Sequence, residues 1–336
     1  MYKIGMYGGC FNPLHLGHVN AIITAANQCE KLYVVMSNSK DPNEINHKER
    51  LMWLKNVTRD MENVEVFEIF DNNDTKYVYD WEYGVKQVHD YIKDKIDVVF
   101  AGSDYIGTDT WQKAYPESEI VYLDRNDINI SSSEIRSNPF KYYDYLPKIV
   151  QRHYLKKVCV IGTESCGKST LVRNLALKYN TTYVREEGRY VCDEAGGIDN
   201  MQKYHYHNIL FRHKREEELM SEIANKVLLI DTDSLITLYY YKLDFGIKDE
   251  DDKSFERVAE GISSLNNYDL YIFLEPDVKW VQDGTRTYGD KQIREKNNKI
   301  LKDLLKKNNI KYVSVDGDYQ NRYKKSIELI DKLIGE

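Results

Sequence analysis

Five cysteines in 336 residues, Cys10, Cys29, Cys159, Cys166 and Cys192, are too few and too scattered to form a framework. No C-x-x-C spacing occurs among them, which excludes a disulfide scaffold and a structural zinc site and points to a reducing cytoplasm. No apolar run approaches the roughly 18 residues that a bilayer-spanning helix needs. The opening Tyr2-Lys3-Ile4-Gly5-Met6-Tyr7 has the form of a strand, so neither a leader nor membrane association is expected. Basic residues are not in excess: 47 Lys and Arg face 54 Asp and Glu, for a net charge of -7. That balance removes broad, salt-driven nucleic-acid binding but leaves room for a local phosphate pocket. Gly/Ser-rich linkers, internal repeats and low-complexity tracts are also missing. What remains is 42% hydrophobic and 30% charged, enough for a sizeable core. At roughly 150 residues per domain the length suits two domains.

Short apolar runs alternate with helical patterns along nearly the whole chain. In the first half, strands are predicted at Lys3–Tyr7, Leu32–Met36, Val64–Ile69, Asp97–Phe100 and Ile120–Leu123. Helices are predicted between them at Gly17–Cys29, His47–Thr58, Trp81–Lys93 and Thr110–Tyr115. The stretch Ser131–Tyr154 reads as helical. The alternation then restarts, with strands at Lys156–Ile161, Thr182–Arg185, Val227–Ile230, Leu270–Leu274 and Tyr312–Val315. The fold class is therefore α/β, with two doubly wound parallel-sheet domains spanning 1–153 and 154–336.

Two segments carry chemistry. After the first strand, Gly8-Gly9-Cys10-Phe11-Asn12-Pro13-Leu14-His15-Leu16-Gly17-His18 opens a helix. Ligands of open α/β sheets sit at the carboxyl ends of strands, and a glycine turn into a helix N-terminus offers free N–H groups to phosphate. Two histidines three apart at that point can aim ring donors the same way. Farther on, Ser131-Ser132-Ser133-Glu134-Ile135-Arg136 combines a helix cap with a guanidinium suited to phosphate. The second segment, Gly162-Thr163-Glu164-Ser165-Cys166-Gly167-Lys168-Ser169-Thr170, fits G-x-x-x-x-G-K-[ST] between a strand and a helix. In that motif the backbone cradles phosphates, Lys168 bridges them and Ser169 helps hold Mg2+. Val227–Asp231 is an apolar strand ending in carboxylates, so Asp231 is the second candidate Mg2+ ligand, and Asp233 reads as a helix cap. Glu186 follows the next strand and could take a hydroxyl proton. The polar segment Trp280–Arg286 suggests a lid delivering Arg286, with Arg294, to phosphate. His205 and His207 read as an exposed face of a long helix over Met201–Ile223.

The first segment resembles the G-x-F-x-P-x-H-x-G-H signature of nucleotidyltransferases at Gly9, Phe11, Pro13, His15, Gly17 and His18. Ile130–Arg136 resembles that family's second signature. A nucleotidyltransferase Rossmann-like domain followed directly by a P-loop domain resembles the NadR family of bifunctional nicotinamide-nucleotide adenylyltransferases and ribosylnicotinamide kinases. Other matching pieces are Lys48-Glu49-Arg50-Leu51, Trp81 before Val85-Lys86, Glu186-x-Gly188-Arg189 and Asp283-Gly284-x-Arg286. The resemblance implies a cytoplasmic NAD-salvage enzyme that uses ATP with Mg2+, nicotinamide riboside, nicotinamide mononucleotide and NAD, and no nucleic acid. It further implies that His15, His18, Arg136, Ser132 and Ser133 contact ATP phosphates beside Gly8, Gly9, Asn12 and Gly17. Gly102 and Asp104 would hold ribose or nicotinamide, with Trp81 and Arg50 on the substrate. Members with a DNA-binding segment before the first strand act as repressors, and with strand one at Tyr2 no such module is expected here. A homo-oligomer is compatible with the sequence. One departure concerns the residue before Glu186, which is aromatic in the family and Arg185 here. A cationic arginine opposes a cationic pyridinium. The alternatives are a P-loop domain that phosphorylates another nucleoside and one that only senses nucleotide.

Overall fold

Ile4, Met6 and Tyr7 are buried, and this continuous apolar stretch places β1 (Tyr2–Gly9) at the centre of a parallel sheet. The computed structural model describes residues 1–72, 79–124, 128–278 and 291–335. These fall into two compact units, Met1–His153 and Tyr154–Glu336.

In the first unit β1 is followed by α1 (Leu16–Ala26), β2 (Cys29–Asn38), α2 (His47–Thr58) and β3 (Val64–Phe70). Then come α3 (Trp81–Tyr91), β4 (Val98–Gly102), α4 (Thr110–Ala114), β5 (Glu119–Leu123), α5 (Ser132–Ser137) and α6 (Lys148–Tyr154). The strand order is β3-β2-β1-β4-β5, all parallel. The chain winds one way from β1 to β2 and β3 and the other way to β4 and β5. The carboxyl ends of β1 and β4 therefore flank the crevice where such sheets bind ligands. Two predicted elements differ in detail. The first helix stops at Ala26 rather than Cys29, because the Asn63 carboxamide donates to the carbonyls of Ala26 (2.9 Å) and Cys29 (3.0 Å) and turns the chain into β2. The predicted helical stretch Ser131–Tyr154 is two short α-helices with a single 3-10 turn (Tyr143–Tyr145) between them, broken around Pro139 and Pro147, which lack the N–H a continuous helix requires.

The second unit runs β6 (Lys156–Ile161), α7 (Lys168–Lys178), β7 (Tyr183–Val184), α8 (Glu187–Glu194), α9 (Lys203–Ile223) and β8 (Val227–Asp231). It continues with α10 (Ser234–Asp244), α11 (Glu250–Leu265), β9 (Leu270–Leu274), α12 (Lys291–Lys307), β10 (Val313–Val315) and α13 (Tyr319–Ile334). The parallel order is β10-β9-β6-β8-β7. Val158, Val160, Leu229, Ile272 and Leu274 are fully buried between the sheet and its helices. Each such side chain stabilises the unit by about 1.5–3 kcal/mol. The C-terminal ends of β6 and β8 are neighbours, so the loop after β6 and the last residue of β8 open on one crevice.

Candidate functional site

In the first unit the turn after β1 is shaped around two imidazoles. His15 caps α1 in extended backbone, and its Nδ1 accepts from the His18 backbone N–H at 3.4 Å. The rings of His15 and His18 stack with centroids 3.6 Å apart, and Phe11 meets His18 edge-on at 5.0 Å. A Cβ on Gly17 would stand 3.0 Å from His15 Nδ1, so only glycine leaves the His15 ring in place. Ser131 forms a capping box with Glu134 that starts α5. Arg136 on α5 donates to the Asn12 carbonyl and, at 3.1 Å, to Ser133 Oγ. The Ser132 hydroxyl donates to the Pro13 carbonyl at 3.0 Å, which ties the two signatures together.

A cavity of about 780 Å³ lies over this junction. Gly8, Gly9, Phe11, Asn12, His15 and His18 line it, as do Trp81, Gly102, Asp104, Ser132, Ser133 and Arg136. Gly17 sits behind His15 rather than on this wall. Arg50, expected on the substrate, is not among the side chains that line this cavity. It is 1% exposed, and its guanidinium is committed to the carbonyls of Cys10 and Ile45, to Asn38 Oδ1 and to the Glu44 carboxylate. Four of its five N–H donors are taken by protein acceptors, and these bonds hold the turn. Trp81 is half-buried and meets Trp111 edge-to-face at 5.0 Å. Trp111 was not singled out in the sequence, yet its buried Nε1–H lines the same cavity and has no partner among the described residues. A buried donor without an acceptor costs about 1–3 kcal/mol unless a ligand supplies one.

In the second unit the loop after β6 is set by backbone. Gly162 has φ +149°, and a Cβ there would lie 2.7 Å from the Leu274 carbonyl oxygen. Gly167 caps α7 in the left-handed region at φ +85°. Lys168 is buried and donates from Nζ to the Thr163 carbonyl at 2.9 Å. Gly167, Lys168, Ser169, Thr170, Glu186 and Asp231 line a cavity of about 460 Å³. Gly162 lies at the base of the loop, outside that lining. Asp231 is 2% exposed, and burial pushes its carboxyl up to about 7. The Glu186 charge adds to the rise, against Lys168 and a hydrogen bond from Ser169. Its Oδ1 has no donor among the described residues. A buried carboxylate beside another carboxylate, with an open oxygen, fits a cation. Among the described residues no group of three or more His, Cys, Asp or Glu side chains could hold a metal.

Asp233 is the cap of α10, accepting from the backbone N–H groups of Leu235 (3.0 Å) and Ile236 (3.2 Å). Arg185 lines the cavity, but its guanidinium lies 3.9 Å from the centre of the Tyr190 ring and donates to buried Glu187 at 2.7 Å. His205 and His207 are half-buried rather than an exposed face. His205 Nδ1 accepts from the Gln202 backbone N–H at 2.9 Å, and His207 packs edge-on against Phe255. Arg294 donates to the Val278 carbonyl at 3.1 Å, while its Nε and one terminal nitrogen have no partner among the described residues. Arg286 and the segment Trp280–Arg286 lie outside the described residues.

The glycine turn with paired histidines on one sheet, and the P-loop with its buried aspartate on the other, define a nucleotidyltransferase-type unit joined to a P-loop nucleotide-binding unit. Residues 6–138 match the Cytidylyltransferase-like family and residues 157–322 the AAA domain family. The chain is 29% identical over 351 residues to the Trifunctional NAD biosynthesis/regulator protein NadR of Salmonella typhimurium, covering 99% of this chain and 84% of the relative. A solved NadR protein in complex with NR shares the fold, with a TM-score of 0.81 at 24% identity over 100% of this chain and 97% of that one. A second, with NAD and AMP-PNP, gives a TM-score of 0.80 at 23% identity over the same shares. The chain is thus similar to NadR proteins over nearly its whole length, in sequence and in fold.

Proposed function

We propose that this protein makes NAD in two ATP-dependent steps, with residues 154–336 phosphorylating nicotinamide riboside and residues 1–153 adenylylating the resulting mononucleotide. The observation that carries this reading is the pairing, in one chain, of two anion-binding turns at central strands, each opening on a nucleotide-sized cavity. The NAD biosynthesis for which the Salmonella relative is named agrees with it. In the first unit a phosphate oxygen of the mononucleotide attacks the α-phosphorus of ATP, and the bond to the β-phosphate oxygen breaks, releasing pyrophosphate. That phosphate is mostly ionised at neutral pH, its second pKa being near 6, so no general base is required. His15, His18 and Arg136 align the triphosphate and stabilise the leaving charge, with backbone from Gly8, Gly9 and Asn12 close by. Trp81 offers a face to the pyridinium ring, and the Trp111 N–H offers a donor to its polar substituent.

In the second unit the riboside hydroxyl attacks the γ-phosphorus of ATP, Glu186 takes the proton and ADP leaves. Lys168 and the loop N–H groups hold the phosphates. Mg2+ held by Ser169 and Asp231 would supply charge neutralisation on the transferring group. The Arg185–Glu187 pair favours a riboside over an anionic acceptor, because the arginine charge is already balanced and stacked on Tyr190. We place the protein in the cytoplasm, in keeping with its free cysteines. Among the described residues no helix is long and apolar enough to cross a membrane. The test is to incubate the pure protein with Mg-ATP and nicotinamide riboside, and separately with the mononucleotide, and to separate the products. NAD from the mononucleotide and mononucleotide from the riboside are expected. Absence of NAD would overturn the first assignment, and an inert riboside the second.

A further inference from the structure

A loop that binds phosphate through its N–H groups has a second requirement: its carbonyls must turn away from the ligand and find donors elsewhere. A peptide plane carries its C=O and the following N–H in opposite directions, so whatever grips the carbonyl aims the N–H. At the Cys166–Gly167 peptide the grip comes from Arg322 on α13. Its guanidinium donates to the Cys166 carbonyl at 2.6 Å, to the Glu275 carbonyl at 2.7 Å and to the Gly317 carbonyl at 2.7 Å, and pairs with the Asp277 carboxylate. Asp277 also accepts from the Gly317 backbone N–H at 2.6 Å. The side chain is 2% exposed and lies outside the cavity lining, so it reaches the ligand only through the loop.

We propose that Arg322 is a positioning residue for ATP in the second unit: by holding the Cys166 carbonyl outward it points the Gly167 N–H into the phosphate cavity. The first unit repeats the arrangement independently. Arg50 donates to the Cys10 carbonyl of its own anion-binding turn, to the carbonyl five residues before it, Ile45, and to a carboxylate, Glu44. Arg322 likewise takes the carbonyl five residues before it, Gly317. Only a guanidinium has enough donors in one plane to serve three chain segments at once.

The inference rests on the reading of the second unit as an ATP-binding unit, and the test separates the two. Full-length wild type, Arg322→Met and Arg322→Lys are titrated with AMP-PNP and Mg2+ by calorimetry. The ATP and acceptor KM values of the kinase reaction are measured alongside, with adenylyl transfer by the first unit as an internal control. Arg322→Met is expected to weaken AMP-PNP binding and raise the ATP KM about tenfold or more, the loss of a charge-assisted hydrogen bond. Acceptor KM and adenylyl transfer should stay unchanged, and Arg322→Lys should recover part of the affinity. Wild-type affinity in Arg322→Met would overturn the proposal. So would an acceptor KM that rises in step with the ATP KM, because that is general loosening. If Arg322→Met does not fold, Arg322→Lys decides: weakened AMP-PNP binding with intact adenylyl transfer supports the proposal, and wild-type binding overturns it. A wild type that binds no AMP-PNP at all would instead sink the nucleotide-binding reading itself.

Discussion

The two units solve one problem, holding a triphosphate, with different materials. In the first the donors near the turn are side chains: two stacked imidazoles, and a guanidinium brought from α5 more than a hundred residues away in sequence. In the second the loop after β6 is a backbone device, shaped by glycines at positive φ and completed by one buried lysine. Even the glycines differ in purpose. Gly17 makes room for an imidazole, while Gly162 makes room for the Leu274 carbonyl of the neighbouring strand. A side-chain site should fail when one residue is removed and leave the fold intact. A backbone site should fail when the chain path is disturbed, and should tolerate changes in side chains that only line it.

The largest contrast should come from His18→Ala. Loss of one positioned donor to transition-state charge costs about a hundredfold or more. Adenylyl transfer is expected to fall by that much while AMP-PNP binding in the second unit is untouched; full transfer activity would break the comparison. Gly162→Ala is the backbone counterpart. A Cβ 2.7 Å from a strand carbonyl, at φ +149°, cannot be absorbed by moving a side chain. Stability should drop by about 1–3 kcal/mol and the P-loop reaction with it, while adenylyl transfer persists. A thermal melt and both assays would check this, and equal loss of both activities would contradict it.

Asp231→Asn sharpens the electrostatic side. The carboxyl sits at about 7 in the folded protein against an ordinary 3.8, so the folded state holds the proton more tightly than the unfolded chain. Stability therefore declines as pH rises through the window from about 4 to 7, and the full cost is present above it. In chelator and without nucleotide, Asp231→Asn should be more stable than wild type at pH 8, by up to about 4 kcal/mol. That gap should close by pH 4. A gap that widens toward acid would reverse the sign of the argument. Turnover of the second unit should be lost in the same variant.

Trp111→Phe keeps the ring wall but removes the unpartnered N–H. The mononucleotide KM of the first unit should rise about tenfold with kcat little changed. The smallest effect is expected from Arg185→Gln. Because Glu187 already balances the arginine, riboside KM should move by less than about threefold, the scale of a screened surface charge. A tenfold gain in riboside affinity would show that the arginine charge does reach the ring.

Both phosphate turns were readable in sequence because their residues are contiguous. Spacing from Gly8 to His18 and from Gly162 to Ser169 carries the whole local geometry, and the alternation of short apolar runs carries the sheets. The residues that hold those turns were not readable. Arg322 meets Cys166 across 156 positions and Glu275 across 47, and nothing near Arg322 in the sequence distinguishes it from the surrounding polar residues of a C-terminal helix. Arg50 was visible as part of a motif, but its grip on the Cys10 and Ile45 carbonyls was not, since a family match records that a residue is retained and not what it touches. Trp111 escaped notice because it lies on a five-residue helix, too short to show a periodicity.

The position of Arg322 also bears on how damaged copies of this gene would behave. A chain ending just before α13 would keep every recognisable motif, from Gly9 through Lys168 to Asp231. It would nevertheless lose the guanidinium that grips the Cys166 carbonyl, together with the helix that covers Val315 and one face of the second core. Scored by its motifs, such a truncation would look benign. Scored by contacts, it would be a null for the kinase step, and cells carrying it would depend on preformed mononucleotide.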